Sequence, residues 1–289
     1  MAHLKNSRGV GLDGIPLLFY KNLQTPLLPI LSKIFTDIAN NCQIPQTWTT
    51  YVITPLYKRK GSRLETTNYR PIAVSSSIYK IFETCLYLIL KDKLVSKIAE
   101  PQYGFMTKSS TYSNLIDTYY KVFKAVDAHE SIDLITVDFC KAFDKVEVPL
   151  LIDKLLKFGV SFGLCKIIFT LLTNRHHIVK YQNNLSETLS VSNGLPQGSI
   201  LGPLLFNVYL NDLLLKPLNN TLYAYADDLK LLGSPGPLLQ TDLHEITVWS
   251  KTNFLPINTV KCELIHFGRQ NPKISYEIDG VVFASCRWL

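Results

Sequence analysis

Two short apolar runs, residues 222–225 and 229–232, are joined through Ala226-Asp227-Asp228. Each run has the length of a strand rather than a helix, and so brief a connection makes the two hairpin neighbours. The adjacent carboxylates of Asp227 and Asp228 repel, and their apolar flanks raise the cost of charging both unless a cation neutralises them. Mg²⁺ meets that need, since it takes one or two carboxylates and leaves its other positions to water and substrate phosphates. A solvated turn is the simpler account of an isolated Asp-Asp pair. Against it stands a second strand-end acid: residues 132–139 read as a strand that runs into Asp138. Acids at the ends of two strands can converge on two metals roughly 3.5–4 Å apart, a geometry suited to phosphoryl transfer. Asp133 and Asp144 do not occupy strand-end positions and read as a solvated and a local structural residue.

The remaining pattern is mixed. Apolar residues recur at helical spacing over 26–38, 77–95, 113–126, 149–158, 164–172 and 204–215. Residues 49–57 read as a strand that Pro55 marks as an edge or end strand, followed by the basic turn Lys58-Arg59-Lys60-Gly61. Residues 177–181 and 188–191 flank the hairpin signal Asn183-Asn184. Antiparallel hairpins and helices without regular βαβ alternation give an α+β fold. The loop Gly194-Leu195-Pro196-Gln197-Gly198-Ser199 enters an apolar helix; its glycines permit close backbone approach, and a helix N-terminus attracts phosphate.

Charge adds a partner class. The formal net charge is +7, from 30 Lys+Arg against 23 Asp+Glu. The excess is concentrated before residue 64, where Lys5, Arg8, Lys21, Lys33, Lys58, Arg59, Lys60 and Arg63 face only Asp13 and Asp37. Such a cluster suits a polyanion such as nucleic acid, or simply forms a solvated basic surface. The six cysteines show neither CxxC pairs nor zinc spacing and read as buried free thiols. No apolar run reaches the roughly 18 residues of a transmembrane helix, so no membrane partner is expected. Met1 to Gly14 lacks the apolar core of a signal peptide, and no strong localisation signal stands out.

Together these segments resemble the reverse transcriptases of non-LTR (LINE-type) retrotransposons over nearly the whole chain. Asn68-Tyr69-Arg70-Pro71-Ile72, Tyr79-Lys80-Ile81-Phe82-Glu83 and Gln102-Tyr103-Gly104-Phe105 with Ser110-Thr111 resemble the fingers motifs. Val137-Asp138-Phe139-Cys140-Lys141-Ala142-Phe143-Asp144 resembles motif A, residues 194–202 motif B, and Tyr225-Ala226-Asp227-Asp228 motif C. The resemblance implies a right-hand polymerase, with a palm of antiparallel sheet backed by helices. The whole of 1–289 would be one reverse transcriptase domain, with about 1–130 mainly fingers and about 131–289 mainly palm.

Roles follow from the same resemblance. Asp138, Asp227 and Asp228 would bind two Mg²⁺ ions, with Mn²⁺ as a substitute, and catalyse transfer of a dNTP to a DNA primer 3′-OH on an RNA template. Lys261 resembles the motif D lysine that protonates the leaving pyrophosphate. Arg70 would clamp the triphosphate through its forked donors, with Lys58 and Lys60 as weaker candidates. Phe139 belongs with the dNTP site. Phe143 would be the steric gate against a 2′-OH, and Gln197 and Gly198 would line the nascent base pair.

Two departures stand out. Met106-Thr107-Lys108-Ser109 replaces a basic stretch usual in the family, so weaker template affinity with a shallower salt dependence is expected. Cys286-Arg287-Trp288-Leu289 resembles the opening of the primer grip, and on this reading the thumb and an endonuclease region belong elsewhere in a longer element protein. A group II intron-type reverse transcriptase and a catalytically silent nucleic-acid-binding remnant are the competing readings.

Overall fold

In the computed structural model, residues 10–106 and 109–283 are described. Lys5, Arg8, Thr107, Lys108 and the primer-grip resemblance at Cys286-Arg287-Trp288-Leu289 lie outside the described residues. The chain forms two compact units whose segments interleave: one holds the chain up to Ser96 together with Glu147–Leu205, the other Lys97–Val146 and the chain from Phe206. Neither unit changes over near residue 130.

The elements of the chain up to Ser96 are α1 (Leu17–Asn22), α2 (Gln24–Asn41), α3 (Gln46–Thr49), β1 (Thr50–Tyr57), β2 (Tyr69–Val74) and α4 (Ser77–Leu94). The next segment contributes α5 (Thr111–Asp127) and β3 (Ile132–Val137). Then come α6 (Val148–Lys157), α7 (Phe162–Thr173), β4 (Arg175–Tyr181), β5 (Asn184–Leu185) and β6 (Leu189–Val191). The chain passes through α8 (Gly202–Leu214) into β7 (Thr221–Tyr225), β8 (Asp228–Gly233), α9 (Pro237–Thr252), β9 (Glu263–Phe267), β10 (Glu277–Ile278) and β11 (Val281–Val282). The helices expected from spacing are present within a few residues of their expected ends. Ser76 and Ser110 cap α4 and α5, each accepting a bond from the backbone N–H three residues on.

In the first unit the sheet order is β2-β1-β4-β5, with β6 also on β4. The basic turn of 58–61 does lie in the β1–β2 connection, as the sequence suggests. Pro55, however, is not on an edge strand, because β1 lies between β2 and a parallel β4. Two facts reconcile a proline with that position. The β4 pairing covers only Thr50–Ile53, and Pro55 faces Pro71 on β2, so neither is called on to donate. Leu17, Tyr20, Leu31 and Ile81 form one core cluster of this unit, closed by Ile15, Leu27, Phe35 and Ile78.

The second unit is built on an antiparallel sheet of order β7-β8-β3-β9. Side chains alternate between its faces. On one face Ile132, Leu134, Leu232, Ile265 and Phe267 pack with Val122 of α5. Ile135, Val137, Leu229 and Leu231 occupy the alternate positions and are essentially sealed from solvent.

Asp133 corrects an expectation. It is fully buried, not solvated, and accepts bonds from Asn271 Nδ2 at 2.8 Å and Tyr276 OH at 2.8 Å, with His266 Nδ1 at 2.7 Å. A buried carboxylate is tolerable when its lone pairs are met in this way. The thiols likewise differ from expectation: Cys165 and Cys262 are buried, whereas Cys85 is exposed and Cys42 and Cys140 are half-buried. Among the described residues no helix is long and apolar enough to cross a membrane.

Candidate active site

The sheet of the second unit places its acids by register. β3 and β8 run antiparallel with Val137 opposite Leu229 and Thr136 opposite Lys230. Continued by one residue, that register sets Asp138 across from Asp228. Alternation puts Thr136, Asp138, Asp228, Lys230 and Glu263 on the face whose other half lies under α5, and these residues with Lys261 line an open cleft. One face thus changes from apolar to charged along its length. Lys230 Nζ donates to Asn114 Oδ1 of α5 at 2.7 Å, where the covered half meets the open half.

Asp227 lies in the hairpin turn itself. Tyr225 and Asp228 form the last pair of β7 and β8, which leaves Ala226 and Asp227 as a two-residue loop. Ala226 has φ of 57°, and Asp227 is not in the left-handed region. A positive φ at only the first central position is the type II′ pattern, in which glycine is the ordinary occupant. The acidic turn is therefore conformationally costly.

Lys261 arrives from the opposite edge. The main chain beyond β3 is held by Asn258 N donating to Asp138 O at 2.7 Å and Cys140 N donating to Pro256 O at 2.7 Å. A tight turn then brings Lys261 Nζ to 2.9 Å from Asp138 Oδ2. That bond raises the lysine's pKa, so its ammonium stays charged. Burial raises the pKa of Asp227, and the charges of Asp228 and Asp138 add to the effect while Lys261 opposes it. Asp228 is raised by burial and then by Asp138, with Lys230 and Lys261 opposing. The carboxylates compete for too little positive charge.

Among the described residues no three His, Cys, Asp or Glu side chains form a ready-made metal cage. The donors nevertheless suit a hard divalent cation. Mg²⁺ needs only one or two carboxylates from protein, burial and then neighbouring carboxylates raise the pKa of Asp227 and Asp228, which a cation would offset, and an ammonium already bonds to Asp138.

The other sequence-derived candidates are distributed between the units. Phe143, half-buried in the second unit, stacks on Phe206 with ring centroids 4.6 Å apart and meets Phe105 edge-on at 6.4 Å. Phe139 is a core residue, 2% exposed and packed against Trp249, so its main chain rather than its ring is left to meet a ligand. Arg70, Gln197 and Gly198 belong to the first unit. Arg70 is exposed on β2, opposite Leu56 of the basic hairpin. Lys58 Nζ is turned back onto Thr67 O at 2.8 Å. The Gln197 carbonyl accepts from Ala73 N at 2.8 Å, and Gly198, at φ of 114°, lies so close that an added Cβ would meet Ala73 O at 2.9 Å. Buried Arg175 secures the start of this loop by donating to the carbonyls of Asn193 and Gly194.

Glu83 and Gln102 stand in the sequence only as members of their motifs, and Arg175 belongs to no motif. Glu83 is 1% exposed and accepts from Ser199 Oγ and from Leu201 N at 3.2 Å, tying α4 to the loop before α8. Their long-range partners left no local signal.

Antiparallel sheet, helical backing and acids at adjoining strand ends define the fingers and palm of a right-hand polymerase. The model of the family described as reverse transcriptase (RNA-dependent DNA polymerase) matches residues 57–281, and the chain belongs to that family. Its curated relatives include the probable RNA-directed DNA polymerase from transposon BS of Drosophila melanogaster, 28% identical over 89% of this chain and 30% of that relative. The RNA-directed DNA polymerase from mobile element jockey of Drosophila melanogaster is 25% identical over 93% of this chain and 31% of the relative. The Pol polyprotein from type-1 retrotransposable element R2 of Popillia japonica is 25% identical over 75% and 32%. The chain spans about a third of the length of these relatives, and it is a reverse transcriptase domain of the LINE type. Among solved structures, Candida tropicalis telomerase in complex with a fragment of telomeric RNA matches with a TM-score of 0.58 at 13% identity, over 79% of this chain and 42% of that one. The likeness shows the fold.

Proposed function

We propose that this chain carries the polymerase centre of an RNA-directed DNA polymerase, with an RNA template, a DNA primer and dNTPs as substrates. The observation that carries the reading is the antiparallel register of β3 and β8, which faces Asp138 with Asp228 beside the turn that bears Asp227. Asp138 and Asp227 would be the direct ligands of two Mg²⁺ ions, for which Mn²⁺ could substitute, and Asp228 the less direct one. When bound, the ions supply Lewis-acid stabilisation of the attacking and leaving oxygens.

The chain's own groups do the rest. Asp138, Asp227 and Asp228 keep the cleft anionic until cations arrive. The primer 3′-OH gives up its proton to solvent water and attacks the α-phosphate of the dNTP, a P–O bond forms, and the bond to the bridging oxygen of the β-phosphate breaks to release pyrophosphate. Lys261, kept protonated beside Asp138, gives its proton to the pyrophosphate. Phe143, fixed by its stack on Phe206, crowds a ribose 2′-OH. Arg70 offers forked donors to the triphosphate, and Gln197 and Gly198 border the nascent base pair. The Phe139 main chain contributes on the dNTP side. A thumb and an endonuclease region would come from a longer element protein.

The test is single-nucleotide primer extension with Mg²⁺ on matched RNA and DNA templates, comparing dNTP with rNTP. Incorporation of dNTP on RNA that disappears in Asp227→Ala is expected. A folded chain that binds template-primer but incorporates nothing above that control refutes the reading in favour of a silent nucleic-acid-binding domain.

A further inference from the structure

We infer that Gln102 is a positioning residue for the acidic turn: its carboxamide holds Ala226 in the left-handed conformation and so sets where Asp227 stands. The inference rests on the polymerase reading of that turn. Gln102 is 2% exposed, a position at which a polar side chain must find partners. Its Oε1 accepts from Ala226 N at 3.0 Å and from Gly104 N at 2.8 Å, and its Nε2 reaches Ala226 O at 3.5 Å. One amide thereby engages both backbone polar groups of the single residue that carries the unfavourable φ. No local interaction within the turn does this work, because Ala226 has a Cβ and gains nothing from positive φ.

The segment around Gln102 is built for the task. β7 lies at the end of its sheet, and residues 101–104 run along that free side: Ala224 N donates to Pro101 O at 2.9 Å and Tyr103 N donates to Ala224 O at 2.8 Å. Gly104 passes so near the turn that a Cβ there would lie 2.2 Å from Ala226 N. Any side chain at 104 would push the segment off the turn. Both ends are anchored within the same unit. Tyr103 OH donates to Asp117 Oδ2 of α5 at 2.5 Å, and Asn207 Nδ2 of α8 donates to Gly104 O at 2.8 Å. Asn207 is itself 1% exposed.

The geometry separates the two acids of the turn. Asp228 is fixed by its pairing with Tyr225 as the first residue of β8. Asp227 has no strand partner, and its carboxyl follows the backbone of Ala226. Loss of the Gln102 amide leaves two buried N–H groups without an acceptor, and the turn relieves this by rotating Ala226 toward ordinary φ. Asp227 then moves while the strands remain.

Gln102→Met, which keeps the length and removes the hydrogen bonds, is the main variant; Gln102→Asn, which keeps the amide but shortens its reach, is the second should the first not fold. Single-turnover incorporation and backbone hydrogen exchange are measured on both. In a variant that melts as a folded protein, kcat is expected to fall by about tenfold to a hundredfold, the scale of a displacement of about 1 Å, with the KM for dNTP within about twofold. Exchange should accelerate in peptides covering 224–229 and stay parental in β3 and α9. In an Ala226→Gly background, where positive φ is free of strain, the effect of Gln102→Met should shrink markedly. A parental kcat in Gln102→Met, acceleration spread over the whole sheet, or additivity with Ala226→Gly overturns the inference. A parent chain that incorporates nothing above the Asp227→Ala control refutes the polymerase reading instead. The exchange and its coupling to Ala226→Gly then still decide whether Gln102 holds the turn.

Discussion

Replacing Lys261 with alanine is expected to tighten Mn²⁺ binding while slowing nucleotide incorporation. The two effects have opposite signs because the ammonium serves chemistry and competes for a ligand. Its Nζ is 2.9 Å from Asp138 Oδ2, with the lysine side chain 65% exposed and that of Asp138 22% exposed. An ion pair this open to water contributes about 0.2–1 kcal/mol. Freeing Asp138 from it therefore improves cation affinity only by about 1.4- to fivefold, since about 1.4 kcal/mol corresponds to tenfold. The raised proton affinities of Asp227 and Asp228 act in the same direction, because Lys261 is one of the charges that currently lowers both. Incorporation should fall by about 10²-fold if the ammonium is the general acid. Mn²⁺ titration followed by electron paramagnetic resonance measures the first quantity and single-turnover extension the second. Lys261→Arg, which keeps the charge, should retain parental Mn²⁺ affinity. Weaker Mn²⁺ binding by Lys261→Ala than by the parent would refute the reasoning, because the lysine would then be helping to assemble the site.

Other expectations follow from buried groups. Burial raises the Glu83 pKa, against hydrogen bonds from Ser199, Ile200 and Leu201 that lower it. An acid raised on folding contributes stability below the ordinary carboxylate range that is lost as pH rises through its folded value. Glu83→Gln should therefore gain stability relative to the parent as pH rises over that interval, and parallel urea midpoints from acid to neutral pH would contradict this. Asp242 accepts from the backbone N–H and side-chain amide of both Asn219 and Asn220, at 2.7–3.0 Å. In Asp242→Ala the two backbone donors lose their acceptor at about 1–3 kcal/mol each, so a loss of about 2–6 kcal/mol is expected in urea unfolding. Phe143→Ala should relax discrimination against ribonucleotides by about 10–100-fold, read as the dNTP/rNTP ratio of kcat/KM; an unchanged ratio would remove Phe143 from the gate.

The legible part of the site was the part written in local pattern. The apolar runs around Asp138 and Asp227-Asp228 have strand length, and their ends fall within two residues of those in the structure. α9 was missed although Leu239, Leu243, Ile246 and Trp249 carry a helical stripe, now buried; dense polar residues between them masked it. Asp133 was misread for a different reason. Its alternation in β3 says only which face it takes, and the residues that satisfy it, His266, Asn271 and Tyr276, come from more than 130 positions away. Pro55 was misplaced because proline's missing donor excludes a hydrogen bond, not a central position, and the length of the β4 pairing decided the outcome.

What the sequence by itself determined was therefore the α+β class, the strand-end placement of the acids and, through the joint order of its motifs, the family. These depend on side-chain periodicity and on chemistry contained within a few residues. Only the tertiary structure decided that β3 pairs with β8 in the register that faces Asp138 with Asp228, that Lys261 bonds to Asp138, and that Gln102 grips Ala226. The strand register and the Gln102 contact depend on backbone groups that must find partners once water is excluded, and the Lys261 contact on the turn that carries its side chain to Asp138. Which distant segment supplies the partner is settled by packing, a property no local stretch of chain possesses.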